Sequence, residues 1–271
     1  MTTDLGVPEW ISLCFFSFFS VLAWMRPLES TRRLNATVLG IVAISLILLL
    51  KIEAVAEFVA YRRMLPLLLM PMAYWQTGHF TAPINDKFQQ HLAATDRRIF
   101  QRLGDFSLPP RIGRWVHALL EYSYILVYPM VPSALAVLYV AGAIEHAVEF
   151  WSVVLPPAYS CYATLPFLRT LPPRTVEPIH EPKRHQKGIR GFNLFVVRQV
   201  THQANTFPSG HAAAAVAVAL ELLRYVPPAG FVYLVLAIGI MAGAFIGRYH
   251  YAEDVLLGAA LAVASFLIFS E

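Results

Sequence analysis

Two short stretches of this chain combine residue types that could do chemistry. The first is Asn205-Thr206-Phe207-Pro208-Ser209-Gly210-His211, followed at once by the apolar run Ala212 to Leu223. Ser209 and Gly210 interrupt the chain just before a strong helix former. A helix start leaves unpaired N–H groups and a partial positive charge, which suits an anion such as phosphate. His211 then falls in the first turn, next to that anion. An ordinary helix cap with an unrelated histidine would look the same. Yet Pro-Ser-Gly-His is expected by chance in only roughly one chain per thousand of this length. The second stretch is Gly247-Arg248-Tyr249-His250-Tyr251-Ala252-Glu253-Asp254-Val255. His250 and Asp254 are four apart, so on a helix they share a face. A carboxylate that accepts from one imidazole nitrogen fixes the tautomer and raises the basicity of the other. That would make His250 a nucleophile or a base. The competing reading is an interfacial His–Asp pair at a helix start, with aromatic residues at headgroup level.

The elements that must position these residues are apolar. The chain has 271 residues, of which 57% are hydrophobic and 14% charged, and its mean hydropathy is +0.55. A soluble domain usually carries about 25% charged residues. Composition therefore argues against a soluble globule, a disordered chain and a small disulfide scaffold. A membrane span needs roughly 20 mostly apolar residues. Candidate spans are Val7 to Met25, Asn35 to Leu50, Met64 to Phe80, Trp115 to Val140, Ala147 to Phe167, Phe207 to Val226, Ala229 to Tyr249 and Ala252 to Phe269. The expected fold is an all-α, multi-pass membrane helical bundle of seven or eight spans. The links between the last three segments are only a few residues long, so these should be antiparallel neighbours. His211 and His250 then reach the same membrane face at adjacent helix ends, which favours the chemical reading of both stretches.

Two polar segments belong to that face. Residues 81–114 mix Asp86, Lys87, Asp96, Arg97, Arg98 and Arg102 with Phe88, Leu92, Ile99, Phe100 and Leu103, the pattern of an amphipathic interfacial segment followed by a loop. Residues 168–206 hold Arg169, Arg174, Lys183, Arg184, Lys187, Arg190 and Arg198 against Glu177 and Glu181. Basic side chains of this kind can bind a phosphate, and Arg does so bidentately. Most of them also fit a loop enriched in Lys and Arg for reasons of topology alone. Arg174, placed rigidly after Pro172-Pro173, is the best candidate ligand. Glu121 and Glu149 read as interfacial acids near span ends. Tyr122, Tyr124 and Tyr128 read as packing or interface anchors. The remaining histidines and the two cysteines, Cys14 and Cys161, show no metal-ligand spacing, so no metal and no cofactor is expected. The net charge of +4 comes with no nucleic-acid motif. Oligomeric state is not readable from composition, because lipid-facing and partner-facing apolar surfaces look alike.

Pro208-Ser209-Gly210-His211 followed by His250-x3-Asp254 resembles the second and third motifs of the type 2 phosphatidic acid phosphatase (lipid phosphate phosphatase) superfamily, which also includes the vanadium haloperoxidases. The resemblance covers residues 115–270 well and the first hundred loosely. It implies a six-helix phosphatase-type core within a membrane domain spanning 64–271, preceded by extra spans in 1–63. It implies metal-independent hydrolysis of a lipid phosphate monoester or diphosphate. In that chemistry His250 attacks phosphorus, Asp254 orients it and His211 protonates the leaving group. Ser209, Gly210 and basic groups from Arg174, Lys183, Arg190 and Arg248 hold the phosphoryl oxygens. Two departures from the pattern matter. Leu171-Pro172-Pro173-Arg174 resembles a Pro-Pro-Arg form of the first motif, while Lys183 to Arg190 keeps that motif's usual spacing but lacks its proline. The arginine usual six residues before the last histidine is Ala244 here, with Arg248 as a possible substitute. Tyr-His-Tyr-x-x-Asp-Val resembles the branch of inositolphosphoryl- and phosphocholine-transferring enzymes. The acceptor, water or a lipid hydroxyl, therefore stays open, as does a non-catalytic transporter or scaffold. The site-side loops carry 17 of the 21 Lys and Arg. Positive charge of that kind points to the cytoplasm, whereas the resemblance more often implies the opposite side, so the side of the site is left open.

Overall fold

A computed structural model describes residues 4–56, 58–80, 82–103, 110–176, 188–202 and 206–270. Helices account for the architecture: α1 (Val7–Met25), α2 (Ser30–Leu48), α3 (Glu53–Ala56), α4 (Val59–Gly78), α5 (Asp86–Leu103), α6 (Pro110–Ile125), α7 (Val127–Val140), α8 (Ala147–Ala163), α9 (Pro173–Val176), α10 (Ile189–Val200), α11 (Gly210–Tyr225), α12 (Pro227–Ile246) and α13 (Ala252–Phe269). Among the described residues there is one isolated backbone bridge, Ile84 to Arg169, and no strand.

α11 is the central helix. It packs on α7, α8, α12 and α13, and Ala212 through Ala219 are all buried. Small side chains let four neighbours approach one axis, the usual device where lipid supplies no hydrophobic drive between helices. Gly243 does the same for α12: a Cβ there would come within 2.5 Å of the Leu120 carbonyl oxygen on α6. At the other end of the chain, Gln76 on α4 donates to the Ala36 carbonyl (3.0 Å) and to Ser20 Oγ (3.1 Å). It thereby joins α1 and α2 to α4 through a fully buried polar node.

Among the described residues four helices, α1, α2 (extended to Lys51), α12 and α13, are long and apolar enough to cross a membrane, and the bent pair α6–α7 makes a fifth if it counts as one span. Together they fit an integral membrane protein. This is fewer than the seven or eight segments expected. α8 and α11 have 17 and 16 residues, at or just below the short end of the roughly 17–25 that span a hydrocarbon core. The segment Trp115 to Val140, expected as one span, breaks at Leu126 with a 61° bend. Pro129 supplies the reason: it has no N–H for the Ile125 carbonyl, and its ring crowds that carbonyl. The bend aims Tyr124 and Tyr128 at the same cavity. α5 is amphipathic as expected, with Leu92, Ala93 and Asp96 inside and Lys87, Arg97 and Arg98 exposed.

Candidate active site

Ser209 caps α11, its Oγ accepting from the Ala212 N–H at 3.4 Å. His211 follows in the first turn. α13 begins beside it: the Ser209 N–H donates to the Asp254 carbonyl at 3.0 Å. One turn further along α13, a Cβ on Gly258 would lie 2.4 Å from the Ser209 carbonyl oxygen. Only glycine allows that approach, so the absent side chain at 258 sets the spacing between the two helix starts that carry the histidines.

His250 lies in the turn between α12 and α13. Its Nδ1 is 3.3 Å from Asp254 Oδ2, and its Nε2 is 3.3 Å from His211 Nδ1. Asp254 is fully buried and also accepts the Tyr251 N–H at 3.1 Å, closing a capping box on α13. A carboxylate can only accept, so Nδ1 of His250 must carry the proton and Nε2 its lone pair. The hydrogen on the His211–His250 contact then belongs to His211. The arrangement is a relay, Asp254 to His250 to His211, with a nucleophilic nitrogen and a proton donor facing one another.

The basic residues divide. Arg174, at the start of α9, donates its backbone N–H to the Arg248 carbonyl (3.1 Å), and its guanidinium lies 5.1 Å from the Tyr249 ring centroid. Arg190 on α10 donates to Glu121 Oε1 (2.6 Å) and to the Gly247 carbonyl (2.8 Å). Arg248 donates to Asp96 on α5 at 2.9 Å. Lys183 lies outside the described residues. Glu121 is not the interfacial acid its position suggested. It is buried and also accepts from Asn193 Nδ2 (2.6 Å) and the Tyr249 hydroxyl (2.7 Å). Removing one partner of such a buried pair costs about 3–5 kcal/mol, because the other charge is left uncompensated. Tyr124 stacks on Tyr249 at 3.9 Å between centroids and on His211 at 5.3 Å. It is thus part of the site wall and not a remote anchor, whereas Tyr122 is exposed.

His211, His250 and Arg174 open onto a cavity of about 530 Å³. Arg190 and Arg248 do not line it. The rest of its wall is apolar and aromatic. Thr206 accepts the Gly210 N–H at 3.4 Å at the α11 start. Tyr74 on α4 lines the same cavity with Met70 and Leu67, one and two turns away along that helix, and with Val131 on α7. Among the described residues, no three His, Cys, Asp or Glu are grouped to hold a metal ion.

The family model described as PAP2 superfamily matches residues 134–271. The chain belongs to the PAP2 superfamily. Membership points to phosphatase-type activity, and the matched span contains Ser209, Gly210, His211, His250 and Asp254. Comparison with curated proteins and with solved structures finds no match. The site is wider than the family span. Tyr74, Gln89, Asp96, Glu121 and Tyr124 all precede residue 134. Tyr74 and Gln89 do not stand out in the sequence, where Asp96 reads as part of an amphipathic charge pattern, Glu121 as an interfacial acid and Tyr124 as a packing or interface anchor. One signal existed. In α5, Gln89 and Asp96 fall on the same helical stripe as Leu92 and Ile99, and a polar side chain on an apolar stripe needs a partner.

His250, in the turn outside the spans, is pushed down to about 3 by burial, with the Arg174 guanidinium as the second cause. Its imidazole is therefore neutral at pH 7, as a nucleophile requires. The unfolded chain would take up a proton near pH 6.5 that the folded one refuses, so this group withdraws stability as pH falls from about 6.5 toward 3. In detergent solution, wild-type protein should lose more thermal midpoint between about pH 6.5 and 4.5 than His250→Gln does. Equal slopes would show that the imidazole is not held neutral by the fold.

Proposed function

We propose that the protein is a membrane lipid phosphatase that hydrolyses a lipid phosphate monoester or diphosphate through a phosphohistidine on His250. The carrying observation is the Asp254–His250–His211 relay opening onto a cavity whose wall is otherwise mostly apolar. A phosphorylated headgroup needs the relay and Arg174, and a hydrocarbon chain needs the apolar wall of Leu67, Met70 and Val131. α4, α8 and α11 cross the bilayer together with the longer helices, which gives eight crossings if α6–α7 counts as one, the last six forming the phosphatase core.

The phosphoryl group enters between the two imidazoles, so their 3.3 Å contact parts. Nε2 of His250 attacks phosphorus as the bond to the ester oxygen breaks. His211, having taken up a second proton with the incoming phosphate, gives that proton to the leaving oxygen and returns to neutral imidazole. Asp254 stabilises the charge that His250 acquires. Water then attacks phosphorus as the phosphorus–nitrogen bond breaks, His211 takes a proton from that water, Nε2 of His250 regains its lone pair, and inorganic phosphate leaves. Phosphoryl transfer of this kind rests on positioning and charge stabilisation. Arg174 and the start of α11 at Gly210, both on the cavity wall, supply the latter, while Ser209 is buried off that wall and caps the helix. Arg190 contributes by holding Tyr249 and Glu121.

A panel of phosphatidic acid, phosphatidylglycerol phosphate, a prenyl diphosphate and a sugar phosphate, assayed in excess chelator, tests this reading. Phosphate release from at least one lipid, undiminished by chelation and absent from the sugar phosphate, is expected. No release from any lipid would sink it. If a labelled headgroup moves to a lipid hydroxyl in preference to water, the enzyme is a transferase working through the same intermediate.

A further inference from the structure

The turn that carries His250 is held from a helix the family span does not include. Asp96 on α5 is fully buried. Its Oδ2 accepts from Arg248 Nη1 at 2.9 Å and its Oδ1 accepts the Ala252 N–H at 3.0 Å. Those partners are four residues apart, with His250 midway between them. The Ala252 N–H is one of the unpaired donors at the start of α13, so a carboxylate there also meets the positive end of the helix. Arg248 has φ +58°, a left-handed conformation that a non-glycine side chain adopts only when something holds it. Its guanidinium side chain is only 7% exposed and lies 5.3 Å from the Phe100 ring centroid, also on α5.

The same helix reaches the other side of the site. Gln89 accepts the Leu171 N–H at 2.7 Å, donates to the Leu171 carbonyl at 3.1 Å and contacts the Tyr251 hydroxyl. Leu92 and Ala93 pack on Tyr251, and Phe88 meets Phe207 edge-on at 4.8 Å. Because Arg174 takes the Arg248 carbonyl for its own N–H, whatever fixes Arg248 also fixes Arg174.

We infer that Asp96 is a positioning residue for the reaction: its carboxylate clamps both ends of the 248–252 turn and so sets where His250 and Arg174 stand. This rests on the phosphatase reading of the site. It also assigns Arg248 to the turn's support in place of direct phosphate binding. A clamp of this kind acts on the transition state, since a misplacement of about 1 Å at the reacting atom can cost roughly 100-fold in rate.

The test is a double-mutant cycle on the full-length protein in detergent micelles, with phosphate release from the best lipid substrate as readout. Asp96→Asn keeps an acceptor for the Ala252 N–H but loses the charge on Arg248. It should lower kcat roughly 10- to 100-fold with KM nearly unchanged. Arg248→Gln should do the same, and the double variant should be no worse than the poorer single, because both break one clamp. Losses that multiply would overturn the inference and return Arg248 to the phosphate, as would wild-type kcat in Asp96→Asn. If Asp96→Asn does not fold, Arg248→Gln alone decides: lower kcat at constant KM supports the clamp, and raised KM at constant kcat refutes it. His250→Ala is run beside them. Activity retained there removes the phosphatase reading itself, whereas an inactive His250→Ala beside a fully active Asp96→Asn removes only the clamp.

Discussion

His250→Ala is expected to reduce phosphate release by at least about 10⁴-fold, to the level of the uncatalysed assay. Of the two imidazoles that line the cavity, His250 is the one whose far nitrogen is backed by a carboxylate. Asp254 lies behind it with its carboxylate engaged by Nδ1 and by the Tyr251 N–H, and Ser209 spends its Oγ on the Ala212 N–H. Neither can take over. The truncation should leave the fold intact. His250 donates its backbone N–H to the Ala244 carbonyl whatever its side chain, and Asp254 keeps its capping bond. Two readouts check this: steady-state phosphate release, and acid-labile label retained on the protein after brief exposure to radiolabelled substrate. Wild type should trap label and the variant none. A variant that releases phosphate at the wild-type rate would show that the relay is a structural His–Asp pair, and would favour a transporter or scaffold.

How much of this could be read from the amino-acid order depends on the range of the interaction. The pair His250 and Asp254 is legible because the two lie four residues apart around one helix start, although His250 sits in the turn before α13 and meets Asp254 beside the helix cap rather than on a shared helical face. Ser209, Gly210 and His211 are legible for the same reason. α1 runs over the residues its hydropathy predicts, Val7–Met25, because a long apolar run bounded by Gly6 and Arg26 has few alternatives. The segment 115–140 misleads because hydropathy measures transfer to lipid and says nothing of the one missing N–H at Pro129. Its 61° bend is what brings Tyr124 to His211.

The partners of Arg190 and Arg248 were hidden for a different reason. Glu121 is 69 residues from Arg190, and Asp96 is 152 from Arg248. A basic residue near a phosphate motif reads as a phosphate ligand until the acid that engages it is in view. Of the cations proposed as ligands and described, only Arg174 lines the cavity. Arg190 and Arg174 both lie about 5 Å from the Tyr249 ring centroid, and Tyr249 stacks on Tyr124, which stacks on His211. Much of the positive charge gathered on this face thus holds the aromatic column and the turn in place. The residues legible in the sequence perform the reaction in this scheme, and those that were not set its geometry.

Asp254→Asn should separate these two functions within one side chain. Asparagine has the size of aspartate but only one acceptor oxygen. Asp254 Oδ2 serves both the Tyr251 N–H (3.1 Å) and His250 Nδ1 (3.3 Å). If the amide oxygen keeps both bonds, geometry survives but the charge that stabilises the imidazolium in the transition state is gone. If the amide NH₂ turns toward His250, Nδ1 must become the acceptor, the proton moves to Nε2, and the lone pair that attacks phosphorus disappears. Either outcome is costly, and in a Ser-His-Asp triad the equivalent change lowers turnover by about 10⁴-fold. A loss of roughly 10³- to 10⁴-fold in kcat is expected here, with KM little changed because the carboxylate does not line the cavity. The thermal midpoint should fall only modestly, since the Ser209 N–H bonds to the backbone carbonyl of residue 254 and survives the substitution. Raising the assay pH should not restore activity, because the defect lies in the position of a proton within a neutral imidazole and not in its amount. Recovery at high pH, or a kcat within about tenfold of wild type, would mean that Asp254 acts mainly as a cap for α13 and that His250 finds its orientation elsewhere.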